Sequence, residues 1–354
     1  MCTILNQIKD LMGAAIPSSS WKVGKELCDN PKTSIEGRLA ALKYLSKVSN
    51  KLEETNRRWV ASLPQDSPSK QLNFALIKFL CSHLDYPDKS LPKDLANGMP
   101  VVGEYRNQLY SANARARLVR RCQNGAKACF PETLKWWEGP SRVPALGKHV
   151  FVGKRPCGKW QKVGRRNLRQ CLMKSSTRSP ISHRFAMDQG PEEDDAKIRV
   201  IDDFRASKVN DMLSMGDTAV PQNLDVVFGI ASMFTQLGCA RPLRACVVDF
   251  AHAYKHVGIP APQYDFASIV LPNASGTPMV ASLRTHPFGS SRAPANWARV
   301  TNFVQFILLR LRKVWLVIYV GDCFCVEPAD TIDSESNCIR AACALFGLEL
   351  EPAK

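Results

Sequence analysis

The sequence predicts a mixed α/β protein of the α+β kind, with an antiparallel sheet backed by helices after a mainly helical N-terminal region. Three observations carry that expectation. In the first section, up to about Glu138, apolar residues recur at helical spacing in Ile35 to Leu52 and in Leu72 to Leu84, with Pro- and Ser-containing breaks at Ser62 to Ser69 and Tyr86 to Pro92. Beyond the acidic patch Glu192 to Asp195, short apolar strands alternate with helices. Near the end, two apolar strands flank a Val320-Gly321-Asp322 turn, the pattern of a hairpin.

With 354 residues, 45% of them hydrophobic, the chain can fill a core in each of two domains. Its net charge of +16 points to a polyanionic partner, nucleic acid first among them, although a solvated basic face gives the same count. Thirteen cysteines without a C-x-x-C pair argue for reduced thiols and against a zinc site. The start lacks the charged-then-apolar order of a secretory leader. The most apolar stretch, Phe303 to Val320, is interrupted by Arg310, Arg312 and Lys313, which makes a membrane span costly. The expectation is a soluble intracellular protein, nuclear or cytoplasmic, with no membrane partner.

Three segments are expected: a helical region over 1–138, a basic arm over 139–183, and a strand-and-helix region over 184–354. From Gly139 to Met187 there are twelve Lys or Arg and no Asp or Glu. Lys154, Arg155, Lys159, Arg165, Arg166 and Arg169 surround Trp160 there, and an aromatic among cations can stack on a base while the cations follow a backbone. A solvated linker with one buried Trp fits the same composition.

Four segments carry the chemistry. Lys197 to Arg205, followed by Asn210, is a strand-like stretch whose alternation puts Lys197, Arg199 and Ile201 on one face. Two such cations can grip a triphosphate, and an edge strand protected by charge looks the same. Ala245 to Tyr254 is an apolar strand ending in Asp249, a carboxylate at the sheet edge where metals are commonly held. His252 and His256, four apart, have zinc-pair spacing, but no Glu completes a hydrolase motif. His286 to Trp297 is a glycine-bearing turn running into a helix through about Lys313, with Pro294 in the first turn and Trp297, Val300, Val304, Ile307 and Leu308 at core-facing spacing. Gly289 lets backbone approach a base pair closely. The fourth is the hairpin Val314 to Val326, with Asp322 at its tip.

In this order, Lys197 to Asn210, Asp249 to Tyr254, Pro287-Phe288-Gly289 and Tyr319-Val-Gly-Asp322 resemble the fingers and palm of reverse transcriptases, particularly those of eukaryotic retroelements. The resemblance covers about Arg184 to Lys354. It implies a palm in which Ala245 to Asp249 and the hairpin share one sheet, with helices Ala293 to Lys313 and Ser334 to Phe346 behind it. It also implies RNA-directed DNA polymerase activity on an RNA template and a DNA primer, using deoxynucleoside triphosphates and Mg2+ or Mn2+. The family's roles carry over as follows: Lys197, Arg199 and Arg205 grip the triphosphate, Asp249 and Asp322 bind metal, and Tyr254 blocks a ribose 2′-hydroxyl. The Phe288-Gly289 loop positions template and nucleotide, and Lys354, in a stretch similar to Gly347 to Lys354, lies near the leaving pyrophosphate.

The chain departs from the family where the hairpin's first Asp is replaced by Gly321. Phosphoryl transfer by two metals needs bridging carboxylates, and losing one such electrostatic group costs about 10²–10³ in rate, so activity is expected to be impaired. An alternative register gives Asp322 the first carboxylate role and Cys323 the second, resembling the Gly-Asp-Asp of viral RNA polymerases. The sequence given also ends before any thumb. Two other functions stay open: a non-catalytic nucleic-acid-binding protein using the basic 139–187 segment, and a viral-type RNA-dependent RNA polymerase, which the aromatic Tyr254 disfavours.

Overall fold

The computed structural model describes residues 18–105, 150–154, 160–163, 180–188, 198–215, 222, 224–272, 277–312 and 314–352. Within these, the first helices are α1 (Ser18–Asp29), α2 (Pro31–Ala61), α3 (Phe74–His83) and α4 (Leu91–Asn97). Strands β1 (Gly103–Tyr105), β2 (Val150–Lys154), β3 (Trp160–Val163), β4 (Ile181–Asp188), β5 (Ile198–Asp203) and β6 (Leu213–Met215) follow. Then come α5 (Leu224–Gln236), β7 (Leu243–Asp249), β8 (Ser268–Pro272), β9 (Pro278–Ser282), α6 (Ala293–Arg312), β10 (Val317–Tyr319), β11 (Asp322–Pro328) and α7 (Ile332–Phe346). The chain is thus of mixed helix-and-sheet class with antiparallel sheets, and no described helix is long and apolar enough to cross a membrane.

Two compact units interleave along the sequence. One takes Met1–Asn97, Ala219–Val257 and Ala295–Lys354, and the other takes Gly98–Thr218 and Gly258–Pro294. The expected division at residues 183 and 184 falls inside β4, and most of the basic arm lies outside the described residues.

The first unit is built on a three-stranded sheet of order β10-β11-β7, antiparallel throughout. Alternation along these strands gives the sheet two faces. On one, Val317 and Val326 pack with Leu27 of α1, with Ile230, Met233 and Phe234 of α5, and with Trp315. Burying each such large side chain contributes roughly 1.5–3 kcal/mol. On the other, α7 covers β7 and β11 with a buried stripe of Ile332, Glu335, Cys338, Ile339, Ala342, Cys343 and Phe346, the spacing of a single helical face. Helix α6 buries Trp297, Val300, Val304, Ile307 and Leu308, as their spacing predicts.

A buried ion pair joins α2 to β11 in the core of this unit. Arg38 of α2, 1% exposed, reaches Glu327 of β11 across 289 residues of chain and makes two hydrogen bonds to its carboxylate, one of them 2.9 Å long. It also donates to the Thr331 carbonyl at 3.3 Å. Burial raises the Glu327 carboxyl and the Arg38 guanidinium opposes that rise. Glu335, also fully buried, is held well above the usual carboxylate range by burial first and by Glu327 next.

The second unit carries a sheet of order β5-β4-β8-β9, antiparallel except for the parallel β4–β8 pair. A pair of ladder neighbours, Arg184 and Asp202, forms a salt bridge of 2.7 Å on β4 and β5. Val101, Val102, Phe204, Val209, Ile259 and Ala267 form its core.

Replacing Arg38 by Ala leaves a buried carboxylate without its cation and should destabilise the protein by about 3–5 kcal/mol. Thermal unfolding followed by circular dichroism measures this. Removing both charges together, as Arg38→Met with Glu327→Leu, should cost much less.

Candidate active site

Asp249 ends β7 and Asp322 begins β11, and the register makes them direct cross-strand partners. The Phe250 amide donates to the Gly321 carbonyl at 2.9 Å, so residues 250 and 321 form a hydrogen-bonded pair. Alternation along an antiparallel ladder then makes Asp249 and Asp322 a non-hydrogen-bonded pair, with Cα atoms about 4.5 Å apart and side chains at their closest. Direct partners share a face, the one that packs on α1 and α5 further along at Val317 and Val326, and at this end it is open, with Asp249 exposed and Asp322 half-buried. The other edge of β7 is also held. The Glu351 amide donates to the Asp249 carbonyl at 2.8 Å and the Ala251 amide to the Glu349 carbonyl at 3.0 Å.

The hairpin is joined by a two-residue turn, Val320-Gly321, closed by the Tyr319 and Asp322 pair. Val320 takes a φ of 58°, a conformation uncommon for a β-branched residue, whereas Gly321 is absent from the residues at positive φ. The indole of Trp297 donates to the Val320 carbonyl and pins the turn. A Cβ at position 321 would lie 3.3 Å from Asp249 Oδ1 and 3.6 Å from the Ala253 Cβ. A side chain there would therefore spring from directly beside the Asp249 carboxylate.

Two alternatives that the sequence already disfavoured gain no support here. Cys323 pairs with Val248 on the opposite face of the sheet, is 0% exposed, and has its thiol pushed well up by burial. It lies on the opposite face of the sheet from Asp322, which speaks against the register that gives Cys323 a carboxylate's place. His252 and His256 are not a zinc pair either. The His256 Nδ1 bonds the Ala253 carbonyl at 3.1 Å while its Nε2 accepts from the Glu349 amide at 3.0 Å, which leaves neither ring nitrogen for a metal. Burial lowers the His256 pKa, in keeping with a neutral ring.

The ring of His256 stacks on Trp297 at 5.7 Å, and Trp297 meets Phe250 edge-on at 5.0 Å. This aromatic column ties the end of β7 to the hairpin turn. Tyr254 lies beside it on the short turn Ala253–His256 and is buried, at 8% exposure. Among the described residues no group of three or more His, Cys, Asp or Glu is placed to hold a metal ion; Asp249 and Asp322 are a pair.

In the second unit, the structure brings the Ile198 to Asn210 stretch together with the His286 to Ser291 loop. The Asp202 amide donates to the Phe288 carbonyl at 2.9 Å. Gly289 has a φ of 109°, and a Cβ there would sit 1.9 Å from the Asp202 carbonyl oxygen, so only glycine fits. Arg199 and Arg205 are exposed, and the Arg199 guanidinium lies 6.0 Å from the centre of the Phe288 ring. Sequence reasoning gave Asn210 no role, yet its side chain donates to the Gly289 carbonyl and accepts from the Ser291 amide, each at 3.0 Å. Its only sequence signal is an Asn after a strand; the loop it clamps lies 79 and 81 residues further on.

Lys197 and Lys354 lie outside the described residues, as do Arg155, Lys159, Arg165, Arg166 and Arg169. Lys154 and Trp160 end and begin the paired strands β2 and β3. No protein-family model matches the chain, and neither does any curated protein.

His286, at the head of the loop, is buried and bonds the Met99 carbonyl through Nε2 at 3.0 Å. Burial first, and the Arg292 charge after it, push its pKa from 6.5 down to about 4. The folded state therefore resists a proton that the unfolded state accepts. Stability from this group is complete above pH 6.5 and falls as the pH drops towards 4, by about 3 kcal/mol in all. Urea unfolding across that range should show the loss, and His286→Gln should flatten it.

Proposed function

We propose that this chain comprises the fingers and palm of a retroelement-type RNA-directed DNA polymerase whose catalysis is weakened by Gly321. The observation that carries the reading is the direct pairing of Asp249 with Asp322 on an open sheet face, at a hairpin tip where position 321 points its missing side chain at the Asp249 carboxylate. An antiparallel sheet with an acid at a strand end and another at the tip of the neighbouring hairpin is the arrangement that the sequence resemblance implies.

Two carboxylates on one face suit a hard divalent cation, and Asp249 and Asp322 would hold Mg2+ or Mn2+. When bound, such ions supply activation of the primer hydroxyl and neutralisation of phosphate charge. The chain's own residues have separate tasks. Lys197, Arg199 and Arg205 are the cations for the triphosphate of a deoxynucleotide, Phe288 and Gly289 form the positioning loop, and Tyr254 screens the sugar. Lys354 serves the leaving pyrophosphate. The partners are then an RNA template and a DNA primer, in an intracellular setting.

A second reading, nucleic-acid binding without catalysis, draws on Gly321 itself, since a shared metal ligand is what the turn lacks. Primer extension separates the two. Gly321→Asp should raise extension on an RNA template by about 10²-fold or more in Mg2+, and Asp249→Asn should cancel the gain. The added carboxylate should also make the melting temperature rise more steeply with Mg2+ than in the parent chain. A folded Gly321→Asp protein showing neither gain would sink the assignment of position 321 to the shared ligand.

A further inference from the structure

We propose that the outward face of α2 is a nucleic-acid-binding surface on which Lys43, Lys47 and Lys51 contact the phosphate backbone. It lies in the helical region to which no motif assigns a role, and it does not depend on the polymerase reading.

Helix α2 is 31 residues long and turns Ser34, Arg38 and Leu45 inward, where it packs on α3 and α7. The face away from that core carries Lys43, Lys47 and Lys51, all exposed, at successive four-residue steps. At 1.5 Å per residue the three lysines leave the helix at intervals of about 6 Å. Together with Ser46 and Asn50 they line an open recess. Those two side chains add neutral donors between the cations, suited to phosphate oxygens.

The acids of the same helix do not neutralise this row. Glu53 and Glu54 lie two and three residues past Lys51 and are held by Arg57 and Arg58 at 2.7 to 3.0 Å. Glu36 lies seven residues before Lys43, two turns away. Lys43, Lys47 and Lys51 form no salt bridge among the described residues, although elsewhere in the unit Lys25 and Lys89 pair with acids four residues away. Like charges at this spacing repel one another and weaken a helix. An evenly spaced line of uncompensated cations suits a partner whose negative charges also repeat along a line. Tyr44, 44% exposed and three residues before Lys47, places an aromatic ring beside the row, where a base can stack. That ring favours nucleic acid over an acidic protein segment.

The test measures binding of the full chain to a fluorescent single-stranded RNA of about 20 nucleotides, between roughly 50 and 200 mM salt. With three phosphate contacts removed, the Lys43→Gln, Lys47→Gln, Lys51→Gln protein should lose about 10- to 100-fold in affinity at the low-salt end. Its slope of log K against log salt should fall by about 2, at roughly 0.7 per phosphate. The corresponding triple Arg protein should keep the parent slope. An unchanged slope in the Gln protein overturns the proposal, and so does poly-glutamate binding as tightly as RNA with the same dependence on these lysines. Primer extension by the Gly321→Asp protein reports separately on Asp249 and Asp322, so failure at one surface is distinct from failure at the other.

Discussion

The hydrogen-bond phase of the β7–β11 ladder decides what the first unit can do. Pairing of Phe250 with Gly321 through the main chain puts Asp249 opposite Asp322 at the closest separation the ladder offers. It also sends Val248 and Cys323 to the face covered by α7 and leaves the two carboxylates on the other. A one-residue slip would exchange those faces, burying acids and exposing the apolar set. The slip is opposed from both edges of β7: Gly321 bonds one side of the strand's end, and Glu349 and Glu351 bond the other. Further along β11, the buried pairing of Glu327 with Arg38 pins the strand by a charge that is costly to leave unmatched.

The hairpin turn holds its strain at Val320, not at the glycine beside it. Turns that join two antiparallel strands with two residues often demand positive φ at the first of them, and here a β-branched side chain fills that place. The indole of Trp297 bonds the Val320 carbonyl and, with Phe250 and His256, fixes the turn against the end of β7. Gly321 therefore answers no backbone requirement. Its backbone is one that an L side chain can adopt, and the space beside it calls for a shift of only a few tenths of an ångström at the Asp249 carboxylate.

Much of this was legible in the sequence because it is local. The apolar run Ala245 to Asp249, the apolar runs around the Val320 turn and the helical spacing in α6 each follow from short windows, and the structure forms those elements at those places. Residues whose role depends on a distant partner were not legible. Arg38 reads as one more cation on a polar helix until Glu327 appears opposite it, and Asn210 is an unremarked polar residue until the Phe288-Gly289 loop is laid against it. His256 shows the converse. Its spacing from His252 fits a metal pair, which the missing Glu already argued against, and both of its nitrogens serve main-chain groups. Spacing along the chain reports which residues share a face, not which lone pairs are already engaged.

That distinction explains how fold and chemistry can separate at this site. The ladder and edge bonds that set Asp249 against Asp322 are made by main-chain groups, and the Trp297 indole holds the turn between them. None requires a carboxylate at 321. A third acid beside two others repels them unless a cation is present, because like charges at contact distance disfavour one another's ionised forms. Glycine at 321 removes that repulsion and leaves the sheet, turn and aromatic column intact. The architecture is therefore compatible with either residue, whereas the proposed two-metal chemistry asks for an oxygen that glycine lacks.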